Sequence, residues 1–341
     1  MDVLFFSKGR GRGHAIPDAA IMREFAQVRP DLDWAFASYA TGAKTFQSLG
    51  YDVHDLDLPE ENPFLDTVIS TYRLMEKCKP RFVVAHEEFA ALVAAKLMQV
   101  PAVFITDWFL KDTTLLMQPL AYAESIIFIE SLGLFDEPSY VKGKVQYMGP
   151  LMRNMTYARE DRSRAREELK LSEEAVVIAC LPGGWATEVR APIADLMLSA
   201  FDQVKGTEKK LFWVAGRDTD NLIRQTKHRN DVIIVEQLWP IEQLMVASDV
   251  VVTKGNRGTI MEAAYLGIPS VSLSHGLNPV EDYIVPRIAS NHPLRVKGLT
   301  PEQLTICIEN QIHKTKYDVL AKPFVISASA VTSALIARLG F

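Results

Sequence analysis

The sequence has few cysteines, no long apolar run and no excess of positive charge. Cys78, Cys180 and Cys307 are scattered and odd in number. That excludes a disulfide framework and a CxxC metal knuckle, and it fits reduced thiols in the cytoplasm. No apolar stretch approaches the ~20 residues that cross a bilayer. The best, Ala102 to Ile105, is broken by Asp107. The start of the chain turns polar at Ser7 and shows no basic segment ahead of a long apolar core, so a secretory leader is not expected. The net charge is −5. Up to Met155 there are fifteen Lys and Arg against twenty Asp and Glu; from Thr156 onward the two balance at twenty-two. A basic face for nucleic acid is therefore not expected.

What is present is an ordinary globular composition, 48% apolar and 23% charged over 341 residues. That length suits two domains. Short β-rich runs alternate with helical patterns throughout, which implies βαβ units on parallel sheets. In the first half the strands are Val3–Phe6, Trp34–Ser38, Val53–Leu56, Phe82–Ala85, Ala102–Ile105, Ser125–Ile129 and Val145–Met148. Helices are expected at Pro17–Val28, Ala43–Leu49, Phe64–Lys79 and Phe89–Met98. Gly149-Pro150 closes this block. Tyr157–Lys170 is dense in alternating charge and reads as a solvated linker helix. The second half repeats the pattern, with strands at Val176–Leu181, Leu211–Ala215, Val232–Val235, Val250–Thr253 and Ser270–Leu273. Its helices fall at Ile193–Val204, Ile241–Ala247, Thr259–Leu266 and Glu302–His313, and a last helix runs near Ser327–Leu339. The expected architecture is α/β, two doubly wound units in tandem, with ligands beyond the carboxyl ends of the strands and the site in the cleft between units.

The chemistry concentrates where strands run into glycine turns. The first strand enters Ser7-Lys-Gly-Arg-Gly-Arg-Gly-His14. Gly9, Gly11 and Gly13 permit a tight turn and close approach of a ligand, and the helix that follows offers free N–H groups. His14 ends the loop and has a reference pKa suited to a general base. The fourth strand ends in His86-Glu87-Glu88. Glu87 is a candidate partner for His14, whereas Glu88 reads as a helix-terminal acid. Asp107, after the next strand, is a comparable candidate. Leu181-Pro-Gly-Gly-Trp-Ala-Thr-Glu188 is a second glycine turn, suited to phosphate oxygens through backbone N–H groups and the Thr187 hydroxyl. Asp249 to Val271 is the most specific stretch. A strand delivers Lys254, a glycine turn opens a helix at Gly258-Thr259, and Glu262 projects from nearly the same face as Thr259. A carboxylate there can hold a ribose diol.

These motifs resemble the GT-B nucleotide-sugar glycosyltransferases, in the branch of the bacterial lipid II-forming GlcNAc transferase and the UDP-glycosyltransferases. The resemblance covers nearly the whole chain. It implies a GT-B fold, with an acceptor-binding Rossmann-like domain over 1–152, a nucleotide-sugar domain over 153–325 and a terminal helix over 326–341 crossing back to the first domain. It implies that His14 is the base that deprotonates the acceptor hydroxyl and that Glu87 pairs with it. Gly11, Arg12 and Gly13 form the acceptor-side loop. Gly183, Gly184 and Thr187 face the donor diphosphate, and Trp239 stacks on the base. Lys254, Gly258 and Thr259 meet phosphate, Glu262 holds the ribose, and Glu281-Asp282 reads the sugar hydroxyls. The sequence departs from the family's pattern in carrying Glu-Asp for Asp-Gln, in a shorter Trp-to-Glu spacing and in a more basic loop (Lys8, Arg10, Arg12).

The resemblance thus implies an inverting glycosyltransferase using a UDP- or dTDP-sugar. It needs no cofactor and, since no DxD-like pair stands in place, no metal. The acceptor is open: a small molecule, a lipid carrier or a glycan. An exposed apolar patch on the first domain would favour a lipid and peripheral membrane contact. A nucleotide-sugar hydrolase or epimerase on the same fold is the alternative enzyme, and a non-catalytic nucleotide-sugar binder is the third class.

Overall fold

The computed structural model describes residues 1–109, 115–130, 132–133, 135–182, 187–214, 220–235, 240–254, 257–274, 293–317 and 325–340. The chain divides into two compact units, Met1–Asn154 with Phe324–Phe341, and Met155–Pro323.

In the first unit the order is β1 (Val3–Ser7), α1 (Ala15–Val28), β2 (Trp34–Ser38), α2 (Ala40–Ser48), β3 (Val53–Asp55), α3 (Phe64–Cys78), β4 (Phe82–His86), α4 (Phe89–Met98), β5 (Ala102–Thr106), β6 (Ser125–Phe128) and β7 (Val145–Tyr147). The strands form one parallel sheet in the order β3-β2-β1-β4-β5-β6-β7. Strands buried on both faces read as continuous apolar runs, and β1 is one. Alternate residues serve opposite layers. Phe5, Val84, Ile105 and Ile127 pack against Ile21, Met22 and Phe25 of α1. Leu4, Phe6, Val83 and Phe104 pack against Ala91, Leu92 and Ala95 of α4 and Met75 of α3.

The second unit runs α5 (Arg162–Glu168), β8 (Val176–Leu181), α6 (Thr187–Gln203), β9 (Lys209–Val214), α7 (Asp220–Thr226), β10 (Val232–Val235), α8 (Ile241–Ala247), β11 (Val250–Lys254), α9 (Arg257–Tyr265), β12 (Ser270–Ser274), β13 (Leu294–Arg295) and α10 (Pro301–Tyr317). Its sheet has the order β10-β9-β8-β11-β12-β13, with every pair parallel. The two sheets therefore reverse order at equivalent places, between β1 and β4 and between β8 and β11. Such switch points are where open α/β sheets place ligands. The last helix, α11 (Ala328–Leu339), belongs to the first unit. Its Val331 and Leu335 join the α1 layer, and its Thr332 Oγ1 donates to the Ile21 carbonyl at 2.8 Å.

Three expectations are corrected. The charged stretch after the first block is not a solvated helix: after a 3₁₀ turn (Arg159–Asp161), α5 packs Ala165 and Arg166 into the second unit. Arg166 is 1% exposed. Its guanidinium donates to the Ala247, Ser172 and Glu173 carbonyls and to Asp249, which also accepts from Arg162 and from the Val177 amide. The run-and-period reading could not see this, because a guanidinium is buried only where its fork meets a matching set of acceptors. Secondly, α6 starts at Thr187 rather than Ile193, running through Pro192 near its start. Thirdly, α7 and the short β13 were not expected. The two residues of β13 are too few for a periodic signal.

Candidate active site

The carboxyl edge of the first sheet gathers the side chains that carry chemistry. β1 hands the chain to the glycine loop, where two of the three glycines have a physical reason. A Cβ on Gly9 would sit 2.4 Å from the Tyr39 carbonyl oxygen and ring. Gly11 has φ +63°, the left-handed region. Gly13 needs neither, and its Cβ would meet open space. Arg10 leans on Glu60 and Glu61, and Arg12 is exposed.

His14 occupies the N-cap of α1 without capping it. Its Nε2 lies 3.0 Å from Glu87 Oε2. Glu87 reaches it because the backbone turns sharply after β4: this residue has φ +52°, and its amide donates to the Ile105 carbonyl. Thr106 donates to the other carboxylate oxygen at 3.3 Å, and Lys8 Nζ stands 4.0 Å away. Burial pushes the Glu87 carboxyl up, but the hydrogen bond and charge of His14, then Lys8 and His86, outweigh it and hold the group well below the usual range. An ionised Glu87 only accepts, so Nε2 of His14 carries the proton and Nδ1 the lone pair. Burial is also the main influence on His14 and brings its pKa down; Glu87 opposes this, and His86 and Lys8 add to it. The ring is thus a neutral imidazole at neutral pH, 22% exposed, with a base-ready nitrogen. That Nδ1 is buried and has no hydrogen-bond partner among the described residues.

Glu88 does what its place after a strand suggested: it is the N-cap of α4 and accepts from the Ala90 amide. His86 does not orient His14 directly. It turns instead to Asp18, whose Oδ1 is 2.6 Å from its Nδ1. Asp18 was missed by the sequence reading. The available signal was its spacing, four residues after His14 and so on the same face of α1.

In the second unit, Lys254 ends β11 half-buried, and Gly258, Thr259 and Glu262 lie on the first turns of α9. The strand and the helix read around these four residues are present, and 255–256 between them lie outside the described residues. Thr187 heads α6. Gly183, Gly184, Trp239, Glu281 and Asp282 lie outside the described residues. Among the described residues no three His, Cys, Asp or Glu side chains are arranged to hold a metal ion. No helix there is long and apolar enough to cross a membrane. On α3, exposed Leu65, Ile69 and Tyr72 line a groove with Leu97 of α4.

Comparison with known proteins agrees with the fold. Two parallel-sheet Rossmann-like units with these topologies are the GT-B fold. The structure of Acinetobacter baumannii MurG superposes with a TM-score of 0.66 at 13% identity, over 100% of this chain and 99% of that one. The UDP-GlcNAc 2-epimerase of Methanocaldococcus jannaschii, solved with UDP-GlcNAc and UDP, superposes with a TM-score of 0.69 at 14% identity, over 99% of each chain. Residues 132–291 match the family model of lipid-A-disaccharide synthetase. A Ruminiclostridium cellulolyticum UDP-N-acetylglucosamine--N-acetylmuramyl-(pentapeptide) pyrophosphoryl-undecaprenol N-acetylglucosamine transferase is 23% identical over 297 residues, 80% of this chain and 78% of that relative. The chain is a glycosyltransferase of the GT-B type.

Proposed function

We propose that this glycosyltransferase moves a sugar, with inversion and without a metal, from a nucleoside-diphosphate sugar to an acceptor hydroxyl. The observation that carries the reading is the His14–Glu87 pair at 3.0 Å, at the mouth of a parallel sheet and beside a glycine loop. A neutral imidazole backed by an ionised carboxylate is the arrangement of a general base: the carboxylate fixes the tautomer and stabilises the imidazolium once the proton arrives. The acceptor hydroxyl gives its proton to Nδ1, which must be uncovered for this because it is buried in the resting geometry. The second unit supplies the donor contacts. Lys254, the α9 N-terminus at Gly258 and Thr259, and the glycine turn before Thr187 receive the diphosphate, while Glu262 takes the ribose. Trp239 stacks on the base and Glu281-Asp282 meet the sugar.

UDP is the favoured nucleotide, because the curated relative's name specifies a UDP-sugar donor and its acceptor as a lipid-linked pyrophosphate. The apolar strip of Leu65, Ile69, Tyr72 and Leu97 supports a lipid-borne acceptor met at a membrane surface from the cytoplasm. The test is calorimetry with UDP and turnover with UDP-N-acetylglucosamine. Glu262→Ala is expected to weaken UDP binding about tenfold or more, and unchanged affinity would remove the donor-site assignment. The epimerase likeness supports a second reading, release or epimerisation of the donor sugar. Free sugar formed without acceptor, as fast as any transfer, would decide for it.

A further inference from the structure

The pair formed by Asp18 and His86 has no part in the chemistry above, yet both of its residues are buried. Asp18 is fully buried and His86 is 3% exposed. A buried carboxylate–imidazole pair is a weak source of stability, because desolvating both groups offsets their attraction. Its location is more telling. Asp18 stands one helical turn beyond His14 on α1, and His86 ends β4 immediately before Glu87. The pair therefore ties together the two elements that carry the dyad. The His14 ring stands edge-on to His86, with centroids 4.9 Å apart and planes at 81°.

We propose that Asp18 and His86 are positioning residues for the transfer reaction: by clamping α1 to β4, they set the plane of the His14 ring and the nitrogen it presents to Glu87. This rests on the reading of His14 as the base. Charge supports it. The groups acting on the two rings are Lys8 from the glycine loop, Asp18 on α1, Glu87 after β4 and Asp107 after β5. Burial opposes a cation on either ring. For His86 this is overcome by Asp18, with Glu87 and Asp107 adding to it, and its pKa is raised. For His14 it is not overcome. Of the two rings it is thus His86 that favours a proton, and a charge there discourages a second proton on His14 before substrate arrives. Asp18 holds the cation in place.

The experiment is a histidine-selective NMR titration of the full chain, which has seven histidines, together with UDP release from UDP-N-acetylglucosamine. In the unsubstituted chain at pH 7, His86 should be an imidazolium and His14 neutral with its proton on Nε2. A neutral His86, or a His14 protonated on Nδ1 instead, overturns the proposal without any substitution. In Asp18→Asn, His86 loses its anion and its charge. The His14 titration should then rise by about half a unit to one unit, and the acid limb of the rate profile should move up with it. The turnover number should fall about ten- to a hundred-fold, with KM for the donor unchanged. Thermal unfolding checks that Asp18→Asn is folded. A lower melting temperature with the His14 titration and turnover unaltered shows a merely structural pair and overturns the proposal. His14→Ala separates the two readings: undiminished UDP release there sinks the base assignment, while the titrations of His86 and His14 in the unsubstituted chain still judge the clamp's geometry.

Discussion

Each unit buries a cluster of charge at one end of its sheet, and the two clusters differ in which end and in how completely they are satisfied. In the second unit, Arg162 and Arg166 converge on Asp249 just before β11, at the amino edge. Both Asp249 oxygens are engaged, and the Arg166 fork is spread over three carbonyls as well. In the first unit, Lys8, His14, Asp18, His86 and Glu87 gather at the carboxyl edge. There His14 Nδ1 and Asp18 Oδ2 are buried with no hydrogen-bond partner among the described residues. A saturated cluster has nothing left to offer a ligand and serves to fasten α5 to the sheet. An unsaturated one at the ligand-binding edge retains a lone pair for a proton.

That contrast predicts a crossed pattern of effects. The largest is on turnover: His14→Ala should lower it about 10²- to 10⁴-fold, with UDP affinity by calorimetry unaltered and the unfolding midpoint little changed. Next is Arg166→Ala, which leaves Asp249 an under-compensated buried charge. It should destabilise the second unit by about 3–5 kcal/mol in urea unfolding. An Arg166→Ala chain as stable as its parent would erase the distinction between the clusters.

Glu87→Gln comes third and is read through pH. The Glu87 pKa is lower in the folded chain than in the unfolded one. Its contribution to stability is therefore complete above the ordinary value of 4.5 and drains away as the pH falls through the lowered folded value. On the order of 2 kcal/mol should be lost on that acid limb in the parent, and the variant's limb should be flatter. An equally steep limb in both would show that Glu87 is not ionised against His14. The smallest effect is in the glycine loop. Gly11→Ala should cost about 1 kcal/mol, because of its positive φ. Gly13→Ala should cost close to nothing in stability, so any loss of activity there reports on a ligand.

The sheets were legible in the sequence because parallel strands buried on both faces leave uninterrupted apolar runs, as at Val3–Phe6 and Val250–Thr253. Short helices were legible unevenly: Ile241–Ala247 was read and Asp220–Thr226, of the same length, was not. At the site, His14 and Glu87 could be named from their positions at strand ends. Their pairing was expected too, but not the backbone turn at Glu87 that makes the contact, which no local pattern announces. Arg166 and Asp18 were hidden for a shared reason: charged residues on a helix read as solvent-facing unless the partner, distant in sequence, is known.

The left-handed backbone at Glu87 also sets selection for activity against selection for stability. A glycine or asparagine adopts φ +52° at less cost than glutamate, for which such a conformation runs to about 1–3 kcal/mol. Drift under selection for stability alone would therefore favour Glu87→Gly, easing the turn and erasing the carboxylate that readies His14. Under the proposed role of His14, a glutamate kept here carries that strain for the sake of its carboxylate.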